Sequence, residues 1–254
     1  KLFNTFLISG NVIKDCVFPG LNNILNKKKI NNFYFISNVL STRNIFKLYK
    51  NLKIISKQNY IFKESFFSFS EFLKCFFYVL FYKFKNKKKY LKYKNLDCSH
   101  FIEDELKNKH DFNSEFLARL NYLFIKKLRK YNYEVVKSFG RFENQSVDKA
   151  WFYGMKEFYP QTKIYGFQGF LYYPHLMNQS PSSSEDELGL LPNNIIVTNK
   201  IAKINRLEFF NKAKITLGPS LGKQKIFNKF KFSYKYKFVV ALCGIKSIDE
   251  KLIT

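Results

Sequence analysis

Between Asn113 and Ser220 the chain switches repeatedly between two hydrophobic spacings, and that alternation limits the folds open to it. In NSEFLARLNYLFIKKLRKYN (Asn113 to Asn132) the apolar residues recur at threes and fours. Phe116, Leu117, Leu120, Leu123, Phe124 and Leu128 line one side of the expected helix, and its basic residues fall late. A strand entering a polar loop follows, YEVVKSFGRFENQ, and then SVDKAWFYGMKEFYP reads as a helix capped by Ser146 and stopped at Pro160. TKIYGFQGF, NNIIVTN and AKITLGPS are further strands. Strands alternating with helices in this way predict the α/β class, with a Rossmann-like parallel sheet flanked by helices.

The segments before Asn113 are read more coarsely. NNFYFISNVL (Asn31 to Leu40) and LKIISK (Leu52 to Lys57) read as strands. SFSEFLKCFFYVLFYKF reads as a long helix, with Ser70 as N-cap and Glu71 suited to its first turn. The apolar part of that helix is about 13 residues and contains Lys74, well short of the roughly 20 that span a bilayer. Its basic continuation from Lys83 to Lys94, with Tyr90 and Tyr93 between the lysines, suits anionic headgroups at a membrane surface. A buried amphipathic helix with a solvated basic end is the preferred account. LMNQSPSSSEDELGLLPNN reads as a flexible surface loop, residues 177–192, with the character of a lid.

Near the end, FSYKYKFVVALCGIKSIDEKLIT reads as the first strand and helix of another α/β unit. The expected organisation is therefore a Rossmann-like domain over residues 1–232, then a linker and the start of a second such domain over 233–254. The chain starts at Lys1 rather than Met and stops soon after its last strand, so a fragment of a longer protein is expected.

With 46% hydrophobic residues the chain can bury a core, which argues against global disorder. The formal net charge of +25 suits partners that are anionic: nucleic acid, a membrane surface or phosphorylated substrates. The same bias toward Lys, Asn, Ile, Phe and Tyr also follows from A/T-rich codons, so charge alone does not choose among them. Cys16, Cys75, Cys98 and Cys243 lie far apart without a CxxC pair, which fits a reduced, cytoplasmic protein and neither a zinc site nor a disulfide scaffold.

Two polar interruptions carry the chemistry. In open α/β sheets ligands sit beyond the carboxyl ends of the strands, where FENQ and FQG both fall. Glu143 suits a general base or a group that orients a sugar hydroxyl. Gln145 and Gln168 offer paired donors and acceptors, and Gly166 and Gly169 would let backbone approach a ligand. An exposed Glu143 and a turn-forming Asn144 are the competing structural explanation.

FENQSVDKAWFYGMKEFYPQTKIYGFQGF, LPNNIIVTNKIAKINRLEFF, KITLGPSLGKQKIF and KFVVALCG together resemble bacterial surface-carbohydrate glycosyltransferases of the GT-B type, over roughly residues 130–245. The resemblance implies that this chain is the N-terminal, acceptor-side half of such an enzyme. Glu143, Asn144 and Gln145 would match the polar loop of the interdomain cleft, and Gln168 the residue closing the next strand, where relatives often carry His. It also implies a nucleotide-sugar donor held mainly by the second domain, and a saccharide or lipid-linked saccharide as acceptor. The expected place of action is the cytoplasm, at the inner face of the cytoplasmic membrane. Little activity is expected of the chain alone.

Other chemistries fit less well. His100, His110 and His175 lack metal-binding spacing, and no metal site is expected. Asp97, Glu103, Asp104 and Glu105 read as an acidic helix start, and Glu185, Asp186 and Glu187 as a solvated loop. GPSLGKQ (Gly218 to Gln224) lacks the phosphate-loop spacing and reads as linker. No GxSxG or Cys/His pairing suggests a hydrolase. The alternative to a transferase is a non-catalytic basic protein that binds nucleic acid or an anionic membrane, since lysines mixed with 19% aromatic residues allow base stacking.

Overall fold

The structure is a computed structural model, and it describes residues 6–9, 12–15, 21–30, 34–37, 60–85, 92–93, 96–97, 99–100, 112–169 and 180–219. The expected strands LKIISK and YKFVVALCG, the domain boundary near 232, and His110 and His175 lie outside those residues. The first part holds short pairings. Strand β1 (Phe6–Ser9) runs antiparallel to β2 (Val12–Asp15), helix α1 (Leu21–Lys27) follows, and β3 (Phe35–Ser37) pairs in parallel with β4 (Tyr60–Phe62). A single 3-10 turn, Lys63–Phe66, leads to helix α2 (Phe69–Lys85), and β5 (Lys92–Tyr93) pairs with β6 (Leu96–Asp97).

The remainder is the α/β unit that the hydrophobic spacing foretold. Helix α3 (Phe112–Lys130) precedes β7 (Lys137–Arg141), α4 (Ser146–Phe158), β8 (Lys163–Gln168), the short α5 (Ser183–Glu187), β9 (Asn194–Val197), α6 (Lys200–Phe209) and β10 (Ile215–Leu217). The four strands β7 to β10 form one parallel sheet in chain order. This is an α/β fold with a parallel sheet flanked by helices, compatible with a Rossmann-like arrangement.

Register explains where the core lies. Ser138 pairs with Ile164, Gly140 with Gly166, Gly166 with Ile195, and Ile195 with Ile215, so these residues share one face of the sheet. Ile164, Ile195 and Ile215 join Phe124, Ile125 and Leu128 of α3, Phe152 and Met155 of α4, and Ala202 of α6 in one apolar cluster. Two small residues let α4 approach. A methyl group on Gly140 would stand 3.5 Å from the Phe152 ring, and one on Gly154 would stand 3.1 Å from Ile125. Phe152 is fully buried, and removing such a ring from water contributes about 2–3 kcal/mol. On the opposite face Phe139 and Tyr165 stack at 4.7 Å.

Helix α3 buries Leu117, Leu120, Asn121, Phe124, Ile125 and Leu128, whereas Phe116 and Leu123, expected in the stripe, are only half-buried. Asn121 enters the buried face because both ends of its amide are used. Its Nδ2 donates to the Val147 carbonyl at 2.9 Å, and its Oδ1 accepts from Lys63 at 2.5 Å.

Two caps differ from expectation. Helix α2 begins two residues earlier, because Ser68 and not Ser70 makes the capping box. The Ser68 amide donates to Glu71 Oε2 at 2.8 Å, and the Glu71 amide donates to Ser68 Oγ at 3.4 Å. In α4 the N-cap is Gln145, and Ser146 is the first helical residue. Helix α2 is also less buried than expected. Cys75 and Val79 face inward, but Phe69, Leu73, Phe76, Phe77, Leu80 and Phe81 are exposed.

Candidate site at the carboxyl edge of the sheet

β7 delivers its last residues to the edge where parallel strands end. Phe142 is fully buried, and its amide donates to the Phe167 carbonyl at 3.0 Å, which extends the pairing by one residue. The chain then turns sharply at Asn144, whose φ of 60° is in the left-handed region that Asn tolerates better than most residues. Helix α4 starts immediately afterwards.

Asp148, in the first turn of α4, shapes this turn. Its Oδ2 accepts the amide of Glu143 at 2.7 Å and that of Gln145 at 3.3 Å. Burial pushes the Asp148 carboxyl up to about 6. The neighbouring Glu143 charge works in the same direction, while the two amides and Arg141 oppose them. The carboxylate thus sits under the loop as a fixed acceptor for two backbone groups.

Glu143 stands at the outer side of the turn. Its carboxylate is ion-paired with Arg141 and accepts a hydrogen bond from Gln145 Nε2 at 3.2 Å. The side chain keeps 23% of its surface exposed, so an incoming hydroxyl can still reach the carboxylate.

Asn144 points the other way and is buried. Its Nδ2 donates to the Ser180 carbonyl at 3.3 Å and to Glu185 Oε1 at 3.1 Å. Glu185 in turn pairs with Lys149 at 2.6 Å and accepts from the Ser182 amide at 2.9 Å. Burial works against the Glu185 charge, but Lys149 and Ser182 prevail and hold its carboxyl below the usual range. The described part of the 177–192 segment is accordingly structured. Ser182 caps α5, Gly189 closes it at φ 73°, and Pro181 and Leu191 are buried. Glu185 is a partner in this network rather than a solvated loop charge.

Gln168 ends β8 opposite Val197 and is 2% exposed, so it belongs to the buried edge of the sheet. The glycines are used differently from the expectation that they admit a ligand. A methyl group on Gly166 would stand 2.7 Å from Pro192 Cγ and 2.9 Å from Phe142 Cβ, so what approaches this backbone is the protein's own side chains. At the exposed Gly169 it would stand 2.5 Å from the Phe167 ring.

The structure thus brings Glu143, Asn144 and Gln145 together with Arg141, Asp148, Lys149 and Glu185, and leaves Gln168 and Gly169 on the neighbouring strand end. The Gln145-x-x-Asp148 spacing is that of a capping box, but Ser146 beside it is the commoner cap residue type and competes with that reading. Lys149 and Glu185 carry no local signal, since they meet only through the fold. Among the described residues no group of three or more His, Cys, Asp or Glu is placed to hold a metal ion. Comparison with protein-family models, curated proteins and solved structures finds no match to the chain.

Proposed function

We propose that this chain is the acceptor-side domain of a GT-B glycosyltransferase that moves a sugar from a nucleotide donor to a surface polysaccharide or lipopolysaccharide acceptor. The observation that carries the reading is Glu143. It is a partly exposed carboxylate at the carboxyl edge of a parallel sheet, the usual ligand position in open α/β folds, and it rests on a turn fixed by Asp148. In the proposed mechanism Glu143 accepts the proton of the acceptor hydroxyl, or orients that hydroxyl, as its oxygen bonds to the anomeric carbon of the donor sugar. The bond from that carbon to the phosphate oxygen breaks, and the nucleotide leaves with the electron pair. Arg141 and Gln145 hold the carboxylate in place. Asn144 acts through the turn, because its amide is committed to Ser180 and Glu185.

Glu143→Gln in the whole protein tests the assignment. Transfer of labelled sugar should fall by about 100-fold or more, the range expected for loss of a general base. Unchanged turnover would remove Glu143 from the mechanism. The net charge of +25 favours a second reading, a basic binding protein without catalysis. That protein would retain nucleic acid with a steep salt dependence, whereas a transferase domain retains it weakly and without sequence preference.

A further inference from the structure

Helix α2 presents to solvent the kind of surface that helices normally bury. Phe69, Leu73, Phe76, Phe77, Leu80 and Phe81 follow one another at i, i+4, i+7, i+8, i+11 and i+12, the spacing of a single helical stripe. All six are exposed, Phe69 by 78% and Phe81 by 51%. The stripe is not the main core face of the helix, although Phe76 meets the Phe112 ring of α3 edge-on at 5.1 Å. That role belongs to the other side, where Cys75 and Val79 are buried and Phe72 packs on Phe67 at 5.5 Å and on Phe116 of α3 at 6.3 Å. Within the stripe Phe77 stacks on Phe81 at 6.1 Å, which makes a continuous aromatic surface.

The one carboxylate of the helix, Glu71, is ion-paired with Lys127 of α3 at 2.6 Å, and the sequence that follows it is basic. Lys74 is exposed on the helix, and the sequence continues through Lys83, Lys85, Lys87, Lys88, Lys89, Lys92 and Lys94 with no acidic residue between Lys74 and Lys94. Tyr90 and Tyr93 are interleaved. A helix of 17 residues is about 25 Å long, and no helix among the described residues is long and apolar enough to cross a membrane. An apolar stripe on a helix that carries the exposed Lys74 and runs into a lysine-rich sequence suits a helix lying along an interface.

We propose that α2 is a membrane-docking helix, which inserts its exposed aromatic stripe into the surface of a bilayer carrying anionic headgroups while its lysines contact the phosphates. A protein partner would match the stripe but leave the lysines without a counter-charge. A nucleic acid would match the lysines but not Leu73 and Leu80. The anionic bilayer matches both. This surface is separate from the β7 turn, and the proposal holds whether or not the chain is a transferase.

The test is co-sedimentation of the 254-residue chain with vesicles of phosphatidylcholine alone and of phosphatidylcholine with phosphatidylglycerol. The anionic vesicles should bind about tenfold or more tightly than the neutral ones, and added salt should weaken that binding. The double variant Phe77→Ser, Phe81→Ser should keep its circular dichroism spectrum and lose most of the binding. Should that variant not fold, Phe77→Trp supplies an independent readout, with quenching of its fluorescence by brominated anionic lipid. Equal binding by the wild type and a folded double variant would overturn the proposal, as would absence of quenching. Self-association abolished by the double variant, without vesicle binding, would assign the stripe to a second copy. Retention of single-stranded nucleic acid without vesicle binding would likewise overturn the bilayer.

Discussion

Asn144, in left-handed backbone at the end of β7, donates its side-chain amide to Glu185 of α5, 41 residues further along the chain and 3.1 Å away. One side chain therefore sets the turn and anchors the segment after β8. Asn144→Ala should destabilise the protein by about 2–3 kcal/mol, from left-handed strain together with the lost hydrogen bonds. Asn144→Gly should cost about 1 kcal/mol less, because it keeps the backbone and loses only the amide. Urea unfolding of the two variants separates the contributions; equal losses would show that the φ of 60° carries no strain.

Gly166 is expected to tolerate nothing larger. Its Cβ position is taken by Pro192 and Phe142, so Gly166→Ala should lower stability by about 1–3 kcal/mol through overpacking. Thermal unfolding measures this directly. A variant as stable as wild type would mean that the strand edge is open enough to admit a ligand there.

Asp148 makes stability fall as pH rises. Its folded carboxyl lies near 6 instead of 3.8, so below about pH 4 it is protonated in both states and contributes nothing. Between those values the unfolded chain ionises first, and above 6 the whole cost of the buried charge is present. Relative to wild type, Asp148→Asn should therefore gain on the order of 2 kcal/mol between pH 4 and pH 7, on top of a constant loss from a weaker acceptor. A pH-independent difference would contradict the buried charge.

Glu71 behaves oppositely. The hydrogen bond from Lys127, at 2.6 Å, is the largest influence, and with the Ser68 amide it holds the carboxyl down to about 2. Its contribution is present above the ordinary value of 4.5 and is lost as pH falls toward 2. The pair is partly solvated, so Glu71→Gln should cost only about 0.5–1 kcal/mol at pH 7 and clearly less at pH 2, where the folded carboxyl is half protonated, as measured by urea unfolding at both values.

Much of the sheet was legible because its strands and helices bury one face each. The spacing of Leu117, Leu120, Phe124 and Leu128 announces α3, and short apolar runs place β7 to β10. Helix α2 was not legible in the same way. Phe72, Cys75 and Val79 compete with Phe69, Leu73 and Phe77 for the inward face, and periodicity cannot choose between two apolar sides. At the candidate site the residue types were visible but not their engagements. Asn144 reads as an available hydrogen-bonding group until Glu185 is brought beside it, and Gly166 reads as open backbone until Pro192 closes on it. Both partners arrive from the segment between β8 and β9, which sequence reads as loop.

The most direct test of the proposed function is an amide NMR titration of the chain with oligosaccharides released from bacterial capsule and lipopolysaccharide. The acceptor-domain account expects saturable shifts clustered at Glu143, Gln145 and Gly169, and their loss in Glu143→Gln. Shifts absent from the β7 turn for every saccharide, with nucleic acid instead perturbing the lysine-rich surface, would contradict it.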